Sequence, residues 1–379
     1  MSTSAWLCAC LSSLTGGLDP KVPPGSWAGV ARMAEAEALA PALGFGLARR
    51  RDDAVPGDVA ARLAERFRQA LARHVVMSRD LATLLRSLEE AAIPVIPLKG
   101  AFLAETVYPH PAARPMSDVD VLVKPGDRLR VDAVLRGLGY RPGSDAHSWT
   151  FDMTYDAATF YDGPEGARVD VHWRLVNDPR YAWNHVEADG VWDRAVSVTL
   201  AGERALALCP EDLVLALATH LAIHHGLSGL LWYWDLKLVL DCWSATLDWD
   251  ALVARATRWR VRSALFFVLR GLAERFALPD AVHDVSPRLA PRGPRPAALC
   301  WLVAHRSRGL RDLEHVIPLL LIDRLTDLLG GIGSAVVPSP AWIRARYGAR
   351  SPSLVRGYLA HGGRMAAVVG RAGQRVTGR

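Results

Sequence analysis

The run Met116-Ser117-Asp118-Val119-Asp120-Val121-Leu122-Val123 sets two carboxylates two residues apart within an alternating pattern. Successive side chains of a strand point to opposite faces, so Asp118 and Asp120 share one face and Val119, Val121 and Val123 the other. Burial of the valine face holds the acids rigidly. Carboxylates held side by side repel, and each raises the other's pKa unless a cation lies between them. The pair therefore predicts a divalent-metal site for Mg²⁺ or Mn²⁺, whose remaining coordination positions are filled by water and phosphate.

A third acid has similar surroundings. Asp170 lies in Arg168-Val169-Asp170-Val171-His172-Trp173, another alternating run, and can face the pair from a neighbouring strand. Three carboxylates can hold two metals, one lowering the pKa of an acceptor hydroxyl and the other clamping a leaving pyrophosphate. Asp170 is then the acid beside the acceptor and a candidate general base. His172 shares its face, where it either touches substrate, orients a carboxylate or serves structure alone. Trp173 points the other way and is expected to pack in the core.

Leu98-Lys99-Gly100 stands where a strand passes into a helix, so first-turn N–H groups and the positive end of the helix dipole would meet incoming phosphates. Gly100 permits close backbone approach, Lys99 or Arg114 can neutralise charge, and Ser117 can add a hydroxyl contact. Lysine is otherwise scarce, at Lys21, Lys124 and Lys237, which makes Lys99 conspicuous.

The elements that must position these groups follow from periodicity. Trp27 to Leu47 and Val59 to Ala92 carry apolar residues at helical spacing, broken at Pro56-Gly57. Leu63, Phe67, Leu71, Val75, Leu81, Leu84, Leu85 and Leu88 form a long stripe expected to pack. Asp127 to Leu138 reads as a helix stopped by Gly139. Trp149 to Tyr161 and Ala167 to Trp173 read as β-like runs joined by the turn chemistry of Asp162-Gly163-Pro164-Glu165-Gly166. From Pro210 the chain is helical again, over Leu213 to His225, Leu230 to Trp243, Trp249 to Arg258 and Ser263 to Phe276. Val282 to Pro296 reads as turn-rich, Val316 to Val337 as an amphipathic helix plus a Gly-rich loop, and the tail from Ser339 as basic.

These strings resemble a known family. A strand, a Gly-containing turn into a helix, an Asp-x-Asp strand and a later strand with a third acid are similar to the nucleotidyltransferase superfamily built on the DNA polymerase β palm. Val95 to Gly100 (V-I-P-L-K-G), Arg114 to Asp120 (R-P-M-S-D-V-D) and Val169 to Trp173 (V-D-V-H-W) resemble more closely the bacterial uncharacterised nucleotidyltransferase family, over about residues 28 to 360. The resemblance implies an α+β fold, with a polymerase β-like nucleotidyltransferase palm of small mixed sheet and helices at 92–204. An N-terminal helical region (1–91) and a C-terminal helical domain (205–379) flank it. It implies that Asp118 and Asp120 bind metal, that Asp170 is the third acid, and that the enzyme moves a nucleoside monophosphate from an NTP to a hydroxyl-type acceptor, releasing pyrophosphate. Peptide or polysaccharide tailoring is the role implied by the family's setting. The sequence departs from the superfamily in having Ala101, not Ser or Gly, after Gly100, and in the long gap from Gly100 to Asp118. A lysine before the glycine and a long gap are similar to abortive-infection toxins, so a toxin-like enzyme acting on RNA or protein is one alternative. A degenerate palm kept as a binding module is another.

His220 and His224, one helical turn apart, and His225 beside them lack an H-E-x-x-H pattern and read as a helix that lines the cleft or simply packs. Asp235 reads as a donor or acceptor contact or as a buried capping acid, and Lys237 as a phosphate contact or, the favoured reading, a solvated lysine.

Composition excludes other classes. The chain has 379 residues, 50% hydrophobic and 22% charged, which rules out collagen-like, disordered and disulfide-rich proteins. Cys8, Cys10, Cys209, Cys242 and Cys300 show no C-x-x-C pair, so a reducing cytoplasm is expected. No segment has the length and apolarity of a membrane span. The net charge of +6 comes almost wholly from arginine, with no run of five like charges, so a nucleic-acid partner is possible but not favoured.

Overall fold

The computed structural model describes all residues except 17–19, 51–54, 145, 156–157, 177, 179–180, 182–183, 185, 187–188, 293, 306–316, 348–352 and 378–379. Ser2 caps α1 (Thr3–Ser13), its hydroxyl accepting the Ala5 N–H at 3.2 Å. Then come α2 (Trp27–Ala36), α3 (Ala40–Arg50) and the long α4 (Gly57–Glu90). The backbones of α3 and α4 approach so closely that a Cβ at Gly44 would run into the Leu63 carbonyl. The far end of α4 reaches the sheet, where Met77, Leu81 and Leu84 meet Val119 and Val169. Between these two contacts the expected stripe fails: Leu71 and Val75 are 37% and 61% exposed. There the helix bridges from the N-terminal helices to the sheet, with solvent on that face.

The central unit begins with β1 (Val95–Pro97) and α5 (Lys99–Thr106), then β2 (Val119–Val123), α6 (Arg128–Gly137) and β3 (Arg141–Pro142). Gly139, at φ +85°, closes α6 in the left-handed conformation that glycine adopts without penalty. There follow α7 (Ala146–Tyr155), β4 (Ala158–Asp162) and β5 (Arg168–His172). The strand order is β1-β2-β5-β4-β3, antiparallel except for the parallel β2–β5 pair. Together they make a small mixed sheet within an α+β fold. The run Trp149 to Tyr161 is thus not one strand. Its first part is α7, because Phe151 turns onto Trp342 (ring centroids 5.4 Å apart), a partner that local periodicity does not reveal.

A hairpin of β6 (Val196–Leu200) and β7 (Glu203–Ala207) then packs beside β1. Its two-residue turn, Ala201-Gly202, has positive φ at both positions, the hairpin geometry that matches strand twist. Glu105 of α5 holds this turn by accepting the Ala201 N–H at 2.7 Å.

The C-terminal helices start with α8 (Pro210–Thr219), which has Pro at its first position and Glu211 and Asp212 in its first turn. α8 runs into a π-helical turn, His220–His224, closed by a hydrogen bond from His225 N–H to His220 O. Beyond it lie α9 (Leu230–Trp243), α10 (Trp249–Arg258), α11 (Arg262–Ala273) and α12 (Asp280–Leu289). Next come α13 (Pro294–His305), α14 (Ile317–Leu320), α15 (Leu325–Val336), α16 (Pro340–Tyr347) and α17 (Leu354–Thr377). Two sequence expectations change here. The turn-rich stretch from Val282 contains α12, since Val282, Val285 and Leu289 bury one helical face and Pro287 falls in its last turns. The expected Gly-rich loop is helical through Val336. No described helix is long and apolar enough to cross a membrane.

Candidate active site

Parallel pairing sets Asp120 opposite Asp170 and Leu122 opposite His172. Alternation then sends Asp120, Asp170 and His172 to one face, while Val119, Val121, Val169 and Val171 fill the other and are buried. The strand begins at Val119, one residue later than the pattern suggested, so Asp118 stands at its entrance.

The three side chains on the polar face differ sharply in their partners. Asp120 Oδ1 accepts hydrogen bonds from Lys99 Nζ at 2.6 Å and from His172 Nε2 at 2.8 Å. Burial raises the cost of its charge, but the His172 bond and the Lys99 ammonium outweigh that cost and hold the carboxyl well below the usual carboxylate range. Asp170 feels the charges of His172 and Lys99 but has no hydrogen bond from either. Its Oδ1 is buried without a hydrogen-bond partner among the described residues. Burial, with the negative charges of Asp120 and Asp118 adding to it, pushes its pKa up to about 6.

Potential ligand atoms of Asp120, Asp170 and His172 lie within 4.8 Å of one another. The two carboxylates fit a hard divalent cation, one of them with a buried oxygen whose lone pairs are unspent, while His172 Nε2 is committed to Asp120. The geometry thus adds His172, whose place on the face of Asp170 was legible but whose bond to Asp120 was not. Asp118 stands outside the group of three, its Oδ1 accepting the Ser117 hydroxyl at 3.2 Å. The Ser117 carbonyl in turn accepts from Arg73 at 3.1 Å.

The turn into α5 lies beside this cluster, because the Leu98 N–H donates to the Asp120 carbonyl at 2.9 Å. Positive φ falls on Lys99 (+48°), not on the glycine. A left-handed lysine carries backbone strain that the surrounding contacts must sustain. Gly100 has a different reason to be glycine: a Cβ there would stand 2.8 Å from both Arg114 Nη1 and Met116 Cγ. Arg114 is therefore packed behind the turn. Its guanidinium is spent on Asp235, through Nε–Oδ1 at 3.2 Å and Nη2–Oδ2 at 2.8 Å, and on the Pro115 carbonyl at 2.8 Å. Tyr108 O–H donates to Asp235 Oδ1 at 2.6 Å, and burial together with the Asp235 charge raises its pKa far above the ordinary phenol value. Arg114 and Asp235 are 5% and 1% exposed. The expected phosphate contact from Arg114 thus meets a side chain already committed to a buried pair, and Asp235 takes the structural one of its two readings.

α8, the π turn and α9 bring a histidine cluster toward the same charges. His220 and His225 approach through Nε2 atoms 3.0 Å apart, and the His225 ring stacks on Trp232 at 4.4 Å. Arg114 lies over the other part of this wall, 5.4 Å from the Trp232 ring. Burial, then the Lys99 charge, lowers the pKa of His225 to about 4, and His220 is driven well below its ordinary value by burial, Lys99 and the neighbouring histidines. His220 and His225 pack against Trp232, and His224 is exposed. Lys237, expected in solvent, is buried beside Asp241, which it pairs with one helical turn away. Trp173 is 2% exposed, packed as expected.

Residues 23–277 match the model of a family described as uncharacterised nucleotidyltransferase. No curated protein matches the chain. Among solved structures, the chain is similar to the solution structure of the antibiotic-resistance factor ANT(2'')-Ia. The two share 12% identity over 50% of this chain and 95% of that one, with a TM-score of 0.36.

Proposed function

The chain belongs to the uncharacterised nucleotidyltransferase family, and from that premise we propose that it moves a nucleoside monophosphate from an NTP to a hydroxyl-type acceptor, releasing pyrophosphate. The observation that carries this reading is the buried, unpartnered oxygen of Asp170 facing Asp120 across the parallel strand pair. A structural acid would have found a donor, since an unsatisfied buried acceptor costs about 1–3 kcal/mol. Asp118, Asp120 and Asp170, with His172, are the residues that would hold Mg²⁺ or Mn²⁺. The chemistry supplied there by such a cation is neutralisation of triphosphate charge and a lowered pKa for the acceptor hydroxyl.

The chain's own groups do the rest. Asp170 is the carboxylate beside the acceptor and the general base for its proton. His172 holds Asp120 in one orientation through its ring nitrogen. Lys99 and the first-turn N–H groups of α5 receive the donor phosphates, so the Lys99–Asp120 pair exchanges partners when the triphosphate enters. Ser117 orients Asp118. The proposed division of labour gives 92–204 the chemistry, and 1–91 and 205–379 the walls that choose the acceptor.

The test is metal-dependent pyrophosphate release from labelled NTPs in a bacterial extract that supplies acceptors. Asp118→Asn is expected to lower release by roughly 10²–10³-fold, the scale of losing one preorganised electrostatic group, with the thermal unfolding transition retained. Unchanged release would overturn the assignment.

A further inference from the structure

We propose that the C-terminal helices hold a second ligand site, an arginine-lined pocket that takes a phosphate-bearing small molecule. The cavity measures about 800 Å³ and lies where the start of α11, the end of α12, the start of α13 and residues 320–324 converge. Arg260, Arg262, Arg288, Arg292, Arg295 and Arg324 line it, against one acid, Asp323. It shares no lining residue with the acidic centre.

That single acid is already committed. Asp323 caps α11, accepting the N–H groups of Arg262 at 2.8 Å and Ser263 at 2.9 Å. Arg295 braces the same wall through the carbonyls of Ile322 at 2.6 Å and Asp323 at 2.9 Å. Arg260 and Arg288 pair with Asp327 and Asp250, which lie outside the lining. Three guanidinium groups keep unspent donors. Arg262 donates Nη2 to the Arg288 carbonyl at 2.7 Å, yet its Nε is buried without a partner. The side chains of Arg292 and Arg324 make no ion pair or hydrogen bond among the described residues.

Gathering like charge around a concave wall is unfavourable unless an anion answers it, and such a wall concentrates positive potential. Guanidinium forks match phosphate oxygens in pairs. The volume falls within the range of small-molecule sites. Phe267, Leu289 and Leu320 add apolar surface for the part of the ligand beyond its phosphates.

Calorimetric titration of the metal-free full chain with inorganic tripolyphosphate tests the site, and removal of its arginines separates it from the Lys99 turn. Saturable one-to-one binding is expected. Arg292→Ala/Arg324→Ala should weaken it roughly tenfold, the scale of one lost charge-assisted hydrogen bond, with the circular dichroism spectrum retained. Both side chains are exposed, so folding is expected to survive. Arg141→Ala/Arg204→Ala, which removes equal charge elsewhere, should leave affinity unchanged. Absence of saturable binding, equal loss in the two double variants, or equal affinity for citrate would overturn the proposal.

Discussion

Asp120 and Asp235 are both buried carboxylates facing a cation from another element, yet their neighbourhoods close differently. Around Asp235, both oxygens are bonded by Arg114, and Tyr108 takes one of them as well. Donors and acceptors there are matched, and the Arg114 guanidinium is used on all three nitrogens. Around Asp120, Lys99 and His172 crowd one oxygen, while Asp170 next to it keeps a buried oxygen unbonded. The first cluster joins α9 to the loop before β2 and holds the back of the Lys99-Gly100 turn. The second is left electrostatically unfinished where Asp120 and Asp170 meet. A fold can use buried charge for attachment or hold it ready for a ligand, and the count of unspent lone pairs separates the two uses.

This contrast breaks or sharpens under three measurements. Asp235→Ala should be the most damaging, destabilising the chain by about 3–5 kcal/mol because Arg114 is left as an unpaired buried charge. Urea unfolding midpoints measure it. A loss of the size seen for exposed pairs, about 0–1 kcal/mol, would erase the distinction.

His172→Ala should act on the other cluster in the opposite way. Divalent-metal affinity is expected to fall by about 10–100-fold, as when an imidazole that orients a carboxylate or ligates is lost, with little change in unfolding midpoint. Calorimetric titration with Mn²⁺ reads it.

The smallest effect is the pH dependence of the metal-free chain. Asp170 has a folded pKa near 6 against an ordinary value of 3.8. Between these values the folded state binds more protons than the unfolded state, so this group's contribution to stability falls as pH rises through the window. His220 and His225, with lowered pKa values, give a slope of the opposite sign over part of the same range. The readout is therefore a difference: Asp170→Asn should gain stability relative to the wild type as pH rises from 4 to 6. A constant difference would show that Asp170 is not strained by its neighbours.

The residue types carried much of this in advance. That Asp120 and Asp170 share a face is legible because strand alternation is a local property and the valines between them declare the buried face, whereas Asp118 stands before the strand. Lys99 was conspicuous for its rarity and does touch Asp120. What sequence could not supply was pairing at a distance. Arg114 looked available for phosphate because Asp235 is 121 residues away in the chain. The helix α7 escapes the local pattern, since its Phe151 finds Trp342 far beyond any local window. The β6–β7 hairpin is different, since Val196 to Leu200 alternates and Ala201-Gly202 ends in glycine. Its signal was present, though weaker than that of the helices around it.

The π turn at 220–224 has a consequence for how this wall tolerates change in chain length. In a continuous α-helix His220 would lie beneath His224, whereas the wider loop brings His220 to His225. An α-helix advances about 100° per residue, so the one surplus residue sets the direction in which the chain leaves the helix at His225. Deleting a single residue between His220 and His224 would leave the composition almost untouched, yet turn His225 away from His220 and from the Trp232 ring on which it stacks. Homologous chains aligned across this segment should therefore conserve its length more strictly than its side chains.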